Sequence, residues 1–302
     1  MTYRTMSDYM SSVFGGRVQK VAVNAGLGCP NRDGTISFGG CAYCDNAAFN
    51  PAYAFSSGMS VTDQLAAGIG FFQKKEPVNG YLAYFQSFSN TYGDTAKLIG
   101  LYEEGLAFPG VLGLVISTRP DCLSADLLDY FERRFGNKAG AGHPYLLVEI
   151  GVESTNDDTL KAINRGHDFK CAQDAIIGLD KRGVAVGAHI IIGLPGEEKV
   201  DFINHARRIS ALPVSTLKLH QLQIIKGTAF DRMYSENPDK FKLLTPESYA
   251  EIVVELLREL RADIALDRFV SESPRSMVVA PSWGIKPDEF SLILQRYAVA
   301  VS

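Results

Sequence analysis

The sequence has no long hydrophobic run and no strong excess of charge of either sign. None of its apolar stretches approaches the roughly 18 residues that a transmembrane helix needs. The first nine residues lack the apolar segment of a secretory signal peptide. The formal net charge is −4 over 302 residues, so composition gives no general support for binding to nucleic acid. We therefore expect a cytoplasmic protein without a membrane partner.

Cysteine is also scarce, and its placement argues against a disulfide scaffold. The chain has five cysteines, of which three cluster between residues 29 and 44. Disulfide-stabilised domains are usually short secreted chains with paired cysteines. The other two, Cys122 and Cys171, show no metal-binding spacing and are interpreted as ordinary thiols. This usage indicates a reducing compartment and one special site.

The clustered cysteines are Cys29, Cys41 and Cys44, and they lie in a glycine-rich stretch. Gly39 and Gly40 precede Cys41, which is typical of a loop and not of a core strand. Three thiolates can hold three irons of a 4Fe–4S cluster and leave the fourth iron open, whereas structural metal sites usually have four protein ligands. We favour such a cluster. A zinc site with a distant histidine and inert buried thiols are the alternatives.

Apolar, β-branched segments alternate along the chain with helical segments. Six strand–helix units in a row predict a parallel sheet with right-handed crossovers, and their spacing suits a complete or partial (β/α) barrel, here (β/α)6. The predicted strands are 20–24, 80–86, 112–118, 145–151, 185–193 and 216–225. The predicted helices are 62–75, 94–106, 124–135, 155–163, 169–182 and 199–211, with Ser124 and Asp168 as N-caps.

The character of the sequence changes after about residue 229. Residues 1–229 are predicted to form the barrel, with an N-terminal lead-in and the cysteine loop at 29–44. Residues 230–302 are predicted to form a C-terminal extension packed on the barrel. It would contain a helix at 245–262, a short strand at 269–271 and a final helix at 287–301.

Polar residues follow or end the predicted strands. In parallel barrels the functional groups gather at the carboxyl ends of the strands, so these residues are candidates for one site. They include Gln86, Ser87, Ser117, Arg119, Glu149, Glu153, His189, Lys218 and His220. Tyr43, between the last two cysteines, would lie beside an open iron and pack on a purine ring; the alternative is a plug under the loop.

Four of these residues alternate with apolar neighbours inside strands: Glu149, His189, Lys218 and His220. Charged groups in apolar strands are costly unless they are paired or functional. We therefore expect the four to share one interior face, with Glu149, Lys218 and His220 as candidate catalytic residues. The alternative is structural: Glu149 simply pairs with Lys218, and a strand histidine is a satisfied core residue.

The ordered set of motifs resembles the radical S-adenosylmethionine (SAM) superfamily, in the branch of the Elongator catalytic subunit and the oxygen-independent coproporphyrinogen oxidases. The segments that carry this resemblance are 117–121 (STRPD), 148–154 (VEIGVES), 164–167 (NRGH) and 189–197 (HIIIGLPGE). Within that branch the chain is similar to the YhcC/YtqA family, on the segments 14–17 (FGGR), 29–34 (CPNRDG), 84–92 (YFQSFSNTY) and 280–283 (APSW).

The resemblance implies a partial barrel of the radical SAM type and one shared start to the reaction. The cluster's open iron would chelate SAM, an electron from a donor such as flavodoxin or ferredoxin would cleave it, and the 5′-deoxyadenosyl radical would abstract hydrogen from a substrate. It also implies contacts to SAM: Tyr43 to adenine, Gln86 and Ser87 near the methionyl end, Ser117, Glu153, Arg165 and His189 along the ribose and carboxylate, with Arg119 counted among them.

Two departures limit what the resemblance implies. Eleven residues separate Cys29 from Cys41, longer than the common superfamily spacing of three but shared with this subfamily. We expect no acetyltransferase domain after the barrel, so carboxymethylation is not carried over. The leading substrate hypothesis is a modified wobble uridine of tRNA, with basic residues framing the mouth of the barrel: Arg17, Lys20, Arg119, Lys218, Lys226 and Arg275.

Two other functional classes stay open at this point. One is a radical SAM enzyme that acts on a small metabolite or a protein. The other is a non-catalytic zinc or iron–sulfur binding module. The set Ser117, Glu153, Arg165 and His189 argues against a mere binding module, because a structural metal site needs none of these residues.

Overall fold

The computed structural model of the chain describes residues 3–45, 58–72, 77–136, 142–271 and 273–300. Its strands are β1 (Val18–Val23), β2 (Gly80–Phe85), β3 (Val111–Thr118), β4 (Tyr145–Glu153), β5 (Ala185–Ile192), β6 (Thr216–Gln221), β7 (Ile224–Ile225), β8 (Ala265–Arg268) and β9 (Val278–Ala280). Seven of them form one curled sheet in the order β1-β2-β3-β4-β5-β6-β8, and every neighbouring pair in it is parallel. This arrangement confirms the predicted partial barrel.

The helices lie between and after these strands. They are α1 (Met6–Phe14), α2 (Val61–Phe72), α3 (Thr95–Ala107), α4 (Ala125–Phe135), α5 (Asp157–Ala162), α6 (Phe169–Lys181), α7 (Lys199–Ser210), α8 (Ala229–Glu236), α9 (Pro246–Glu259) and α10 (Pro287–Ala300). All six predicted crossover helices are present. Where both predicted ends are described, the observed ends differ from them by three residues or fewer. The predicted end of the first, residues 73–75, lies outside the described residues.

Local capping explains where several helices begin. The Ser124 side chain accepts a hydrogen bond of 3.3 Å from the backbone N–H of Leu127, and that of Asp168 accepts one of 2.8 Å from Cys171. Each satisfies an amide that has no partner within the helix, so both predicted N-caps are confirmed. Helix α1 was not predicted, although its capping box of Thr5 and Asp8 is a local signal.

The end of the sheet differs from the predicted one. The predicted strand at 216–225 is broken into β6 and β7, and β7 pairs antiparallel with β9. The strand that ends the seven-stranded sheet is β8, at Ala265–Arg268 and not at 269–271. It pairs in parallel with β6. Aspartate is depleted in strands, and β8 has only four residues, two of them charged, which hid this strand in the sequence. The division of the chain at residue 229 stays a prediction.

Inward-facing side chains fill the barrel in layers. At the amino-terminal end an apolar layer contains Leu82, Val115, Tyr145 and Leu147, and α1 covers it with the buried side chain of Met10. Because side chains of a strand alternate between its two faces, the next inward positions toward the carboxyl end are polar. The barrel is therefore closed by apolar packing at one end and lined with polar groups at the other.

The last two helices lie on the outside of the barrel. Helix α9 packs against α7, and α10 packs against α9. The rings of Tyr249, Trp283 and Phe290 contact one another, with centroids 5.3–5.8 Å apart. Among the described residues, no helix is both long and apolar enough to cross a membrane.

Candidate active site

The loop that follows β1 places the three clustered cysteines on one cavity at the carboxyl end of the sheet. Cys29, Cys41 and Cys44 all line this cavity, whose volume is about 190 Å³. Backbone hydrogen bonds shape the loop: Arg32 N–H donates to the carbonyl of Cys29 at 2.9 Å, and Cys44 N–H donates to that of Cys41 at 3.0 Å. The thiols thus lie together although eleven residues separate the first two.

The cysteine loop is tied to the rest of the barrel on two sides. Ala42 N–H donates to the carbonyl of Ile163 at 2.9 Å, and the Ala42 carbonyl accepts from Phe230 at 2.9 Å. Asn164 adopts a left-handed backbone conformation with φ 54°, and its amide donates to the carbonyl of Gly40 at 2.9 Å. Asparagine tolerates this conformation better than most residues. Through the hydrogen bond of Asn164 to Gly40, the NRGH segment holds the cysteine loop in place.

Polar groups surround the sulfur atoms. Arg165 Nη1 lies 3.4 Å from Sγ of Cys41, and Asn31 Nδ2 lies 3.5 Å from the same atom. Burial raises the pKa of the Cys44 thiol to about 11, and the neighbouring Cys41 adds to this rise while Arg32 opposes it. A metal would displace the thiol proton on binding. The donor set fits a group that takes three thiolates and leaves room on the cavity side.

No three His, Cys, Asp or Glu side chains in the described part of the chain converge on a point where a single metal ion could sit. The cysteines of an iron–sulfur cluster each bind a different iron, so their sulfur atoms surround the cluster instead of meeting at one point.

A second group of residues surrounds the carboxylate of Glu153. His189 Nδ1 lies 2.7 Å from Oε2, and Arg165 Nη2 lies 3.4 Å from Oε1. Tyr43 also makes a hydrogen bond to this carboxylate. Burial alone would raise the pKa of Glu153, but the charges of His189 and Arg165 and these hydrogen bonds outweigh it and lower the pKa to about 2. The carboxylate is therefore ionised at neutral pH.

The backbone at the end of β4 directs Glu153 toward Arg165. Glu153 has φ 66° and the register with β5 shifts between Gly151 and Glu153, which is a β-bulge. A Cβ on Gly151 would lie 2.6 Å from Nη2 of Arg165 and 2.7 Å from Oε1 of Glu153. The Arg165 guanidinium instead donates to the Gly151 carbonyl at 2.6 Å. A larger residue at position 151 would therefore displace the Arg165 guanidinium or the Glu153 carboxylate from this arrangement.

An ionic layer forms the floor of the cavity. Lys218 Nζ lies 2.6 Å from Oε2 of Glu149, and the hydroxyl groups of Tyr84 and Ser117 each donate to the same oxygen at 2.8 Å. Lys20 lies 3.2 Å from Oε1 of Glu149. Although burial opposes ionisation, the two lysines hold the pKa of Glu149 well below its usual range. The structure therefore pairs Glu149 with Lys218, as the structural alternative expected.

His220 lies above this floor. Its ring contacts the ring of His189 edge to face at a centroid distance of 4.2 Å. Its Nε2 accepts a hydrogen bond of 2.8 Å from Nε of Arg268 and another from Nη2 of the same guanidinium. Burial, with the positive charge of Arg268, lowers the pKa of His220 well below its usual range. His220 is neutral at physiological pH, with its proton on Nδ1.

The cavity brings together nearly all the residues that the sequence predicted for the site. Those that line it are Cys29, Cys41, Tyr43, Cys44, Gln86, Ser117, Arg119, Glu149, Glu153, Arg165, His189, Lys218 and His220. The expected shared interior face of Glu149, His189, Lys218 and His220 is confirmed. Ser87 is buried and does not line the cavity, because it follows Gln86 at the strand end and successive side chains point to opposite faces.

Several residues of the cavity wall were not predicted. Tyr84 lies in β2 two residues before Gln86, and both line the cavity, so the alternation of strand side chains was a usable signal for Tyr84. Arg268 lies on β8, which the sequence did not reveal. Arg32 and Phe88 lie in loops, and Phe88 has φ 66°. Gln223 lies inside the predicted strand 216–225, at the break between β6 and β7, and Ser273 follows β8.

The predicted basic frame of the cavity mouth is wrong for four of its six members. Lys20 and Lys218 lie inside the barrel in ion pairs with Glu149 and Asp267. Arg119 is buried and paired with Asp121 at 2.7 Å. Arg17 precedes β1, at the opposite end of the strands from the cysteine loop. Only Lys226 and Arg275 are exposed near cavity-lining segments.

Comparison with known families gives this geometry a context. The model of the radical SAM superfamily matches residues 23–209, more than half of the chain. The chain belongs to the radical SAM superfamily. A model of the radical SAM C-terminal domain matches residues 214–297. The chain is thus an enzyme of this superfamily, which implies a 4Fe–4S cluster, SAM and a reductant.

The relatives place the chain more narrowly. YtqA of Bacillus subtilis is 33% identical over 283 residues, which cover 94% of this chain and 85% of that protein. YhcC of Escherichia coli is 32% identical, covering 89% and 84%. A tRNA uridine(34) acetyltransferase of Dehalococcoides mccartyi is 30% identical over 129 residues, which cover 41% of this chain and 26% of that protein. The resemblance to the YhcC/YtqA family is confirmed.

A solved structure shows the same fold. Elp3 of the archaeon Methanocaldococcus infernus, with an N-terminal deletion, superimposes with a TM-score of 0.70 at 17% identity. The match covers 94% of this chain and 63% of that one, so this chain spans less than two thirds of the solved protein. At this identity the likeness shows the fold alone.

Proposed function

We propose that Cys29, Cys41 and Cys44 hold one 4Fe–4S cluster and that the adjoining wall of the cavity binds SAM. One observation carries this proposal: the three cysteines and the Glu153–Arg165–His189 group line the same cavity, with Arg165 in contact with both Cys41 and Glu153. A structural metal site would not need the second group. When bound, the cluster supplies an electron that cleaves SAM to the 5′-deoxyadenosyl radical.

The residues of the wall bind and orient SAM in this proposal. Tyr43 packs against the adenine, while Glu153, Arg165 and His189 face the ribose and the amino acid end. Nε2 of His189 and Nη1 of Arg119 are buried and have no hydrogen-bond partner among the described residues. Because unsatisfied buried donors and acceptors are costly, these atoms favour a polar ligand. Gln86 and Ser117 complete the set, and Ser87 is left out of it.

The floor of the cavity protects the reaction in this proposal. Glu149 and Lys218 saturate each other with the help of Tyr84 and Ser117, so we assign them a positioning role and not proton transfer. The apolar layer below them excludes water from this end of the cavity. A reactive radical requires such exclusion, because it prevents side reactions. The three predicted catalytic residues are Glu149, Lys218 and His220. Of these, His220 lies at the boundary between the SAM wall and the rest of the cavity, where its ring contacts His189.

The test is anaerobic reconstitution with iron and sulfide, followed by reduction in the presence of SAM. We expect the wild-type chain to release 5′-deoxyadenosine slowly without substrate, and a flavodoxin or ferredoxin to replace the chemical reductant. The Cys44→Ala variant should release none, while Cys171→Ala, a cysteine outside the cavity, should match the wild type. Stoichiometric zinc without sulfide in anaerobically purified protein would instead support the zinc-binding alternative.

We further propose that the substrate is a modified wobble uridine of tRNA. The partial relative that acts on tRNA uridine supports this class, and Lys226 and Arg275 are exposed near the cavity, where they could meet phosphates. Phosphate contacts release counterions, so tRNA affinity should fall steeply as salt rises. The absence of tRNA binding at low salt, together with an unchanged nucleoside profile in a strain lacking the protein, would favour a small-molecule or protein substrate.

A further inference from the structure

Among the described residues, every cation of the cavity wall but one pairs with a carboxylate or lies in the cysteine loop. Lysine and arginine contribute five side chains to this wall among the described residues. Four of them face a carboxylate or the cysteine loop: Arg119 with Asp121, Arg165 with Glu153, Lys218 with Glu149, and Arg32 with the Cys44 carbonyl. The fifth is Arg268, at the carboxyl end of β8.

Arg268 contacts a neutral partner. Its Nε and Nη2 both donate to Nε2 of His220, which carries no charge at physiological pH. In the part of the chain that the structure describes, no carboxylate lies within ion-pair distance of this guanidinium. Its sequence neighbour Asp267 points into the ionic floor, where it lies 2.9 Å from Lys20 and 3.3 Å from Lys218. Among the described residues, the positive charge of Arg268 therefore faces the cavity without a carboxylate partner.

Two further polar atoms near this charge have no partner. Oε1 of Gln223 and Oγ of Ser273 are buried, line the same cavity and make no hydrogen bond within the described residues. Gln223 lies between β6 and β7, and Ser273 follows β8, so both come from the same side of the sheet as Arg268. Buried polar atoms are normally satisfied, so this side of the cavity is suited to a polar ligand.

This side is distinct from the wall assigned to SAM. His189 belongs to the Glu153 group, and its ring meets the ring of His220 at 4.2 Å. Nε2 of His220 accepts the hydrogen bond from Arg268. The two histidine rings therefore lie between the Glu153 group and Arg268, and a second molecule on the Arg268 side would be next to the proposed SAM.

We propose that Arg268 binds an oxyanion, a carboxylate or a phosphate, on the substrate whose hydrogen is abstracted, with Gln223 and Ser273 contacting polar groups beside it. The inference rests on the proposed function, since it names the chemistry of the molecule that shares the cavity with SAM. A guanidinium with free N–H groups binds either oxyanion through charge-assisted hydrogen bonds. The bond to His220 orients Arg268 without neutralising it.

The experiment compares matched nucleosides on the reconstituted protein with SAM, by isothermal titration at one fixed salt concentration. The pairs are 5-carboxymethyluridine against 5-carbamoylmethyluridine, and uridine 5′-monophosphate against uridine. We expect the charged member of one pair to bind at least about tenfold more tightly than its neutral counterpart. The pair that shows the preference distinguishes a carboxylate on the base from a backbone phosphate.

Variants of arginine assign the preference to one residue. Arg268→Gln should abolish it without changing the affinity for the neutral nucleosides, and Arg268→Lys should retain part of it. Arg133→Gln changes an exposed arginine of α4 outside the cavity wall; it is the matched control and should retain the preference fully. Two outcomes would overturn the proposal. One is that the wild type shows no preference for the charged member of either pair, which includes no binding at all. The other is an undiminished preference in Arg268→Gln.

Release of 5′-deoxyadenosine without nucleoside, measured in the same preparations, separates this proposal from the proposed function. Wild type and Arg133→Gln, a change of an exposed arginine outside the cavity wall, should release it at equal rates, and Arg268→Gln should still release it. If wild type and Arg268→Gln both release it and no anion preference exists, only the assignment of Arg268 fails. If the wild type releases none, the proposed function fails first. If only Arg268→Gln is inactive, Arg268 belongs to the SAM site and the proposal is contradicted.

Discussion

Lys20 and Asp267 form an ion pair of 2.9 Å between the first and the last strand of the sheet. The backbones of β1 and β8 are not paired with each other in the described sheet, so side chains join the two ends of the curled sheet. Instead, the backbone N–H of Leu266 on β8 donates a hydrogen bond of 2.8 Å to the Arg4 carbonyl of the N-terminal segment, in an isolated parallel bridge between Thr5 and Leu266. The half-open barrel is thus held together by charge as well as by α1.

Replacing Asp267 by Asn should therefore destabilise the fold strongly. The change leaves Lys20 and Lys218 with one carboxylate, Glu149, in a buried setting, and breaking a buried ion pair costs about 3 kcal/mol or more. The free energy of unfolding from denaturant titration measures this loss. Asp263→Asn is the control, since Asp263 is exposed and its pair with Arg261 should contribute little. Equal stability of the two variants would contradict a structural role for the ion pair.

The stability that Glu153 contributes should depend on pH. Its folded-state pKa is about 2, below the usual glutamate value of about 4.3. The ionised carboxylate therefore stabilises the fold above about pH 5, by about 3 kcal/mol, and this contribution is lost as the pH falls toward 2. We expect Glu153→Gln to be less stable than the wild type at pH 7 and the difference to shrink at pH 3.

Denaturant titrations of the wild type and Glu153→Gln at several pH values measure this difference. Glu104→Gln, a residue outside the cavity wall, is a control for changes in net charge. A difference that stays constant from pH 7 to pH 3 would show that the Glu153 carboxylate is not the ionised partner of Arg165 and His189.

Loss of Cys41 should abolish cluster binding. Cys41 is one of the three proposed ligands, and its sulfur is the one that Arg165 and Asn31 contact. Iron and sulfide content after anaerobic reconstitution should fall to background in Cys41→Ala. Cys122→Ala, a buried cysteine that does not line the cavity, should retain the wild-type content. Wild-type iron in Cys41→Ala would remove Cys41 from the ligand set.

His189→Phe should weaken SAM binding without loss of iron. Phenylalanine preserves most of the ring volume against His220 but removes the bond to Glu153 and the unpartnered Nε2. We expect the dissociation constant for SAM, measured by equilibrium dialysis, to rise at least about tenfold. The exposed His143 supplies the control variant His143→Phe, which should bind SAM as the wild type does. Unchanged affinity in His189→Phe would refute the proposed SAM wall.

Much of this molecule could be predicted from local sequence. Ser124 and Asp168 marked helix starts because an N-cap acts on amides only two or three residues away. The alternation of Glu149, His189, Lys218 and His220 with apolar residues indicated one interior face because a strand has a period of two. The parallel topology then predicted that the polar strand ends would meet at one edge of the sheet.

Other features depended on contacts between distant segments. The sequence showed Lys20 as a cation but not its partner Asp267, so Lys20 was placed at the mouth and not in the floor. Strand β8 was hidden because its four residues include Asp267 and Arg268, whose charges are tolerated only by the interior they meet. Ser87 was included in the site because proximity along the chain does not tell which side of the wall a side chain faces.

The sequence alone determined the order of the six strand–helix units, the cysteine loop and the family. The units follow from short-range hydrophobic pattern, and the loop and the family follow from motifs of residues that are close together in the sequence. The tertiary structure decided which charges cancel. Glu149 became a structural anion because Lys218 and Lys20 reach it from other strands. Arg268 has no carboxylate partner in the described part of the chain, because β8 places it beside the neutral His220. Electrostatic partners separated by tens or hundreds of residues are set by packing and not by local pattern.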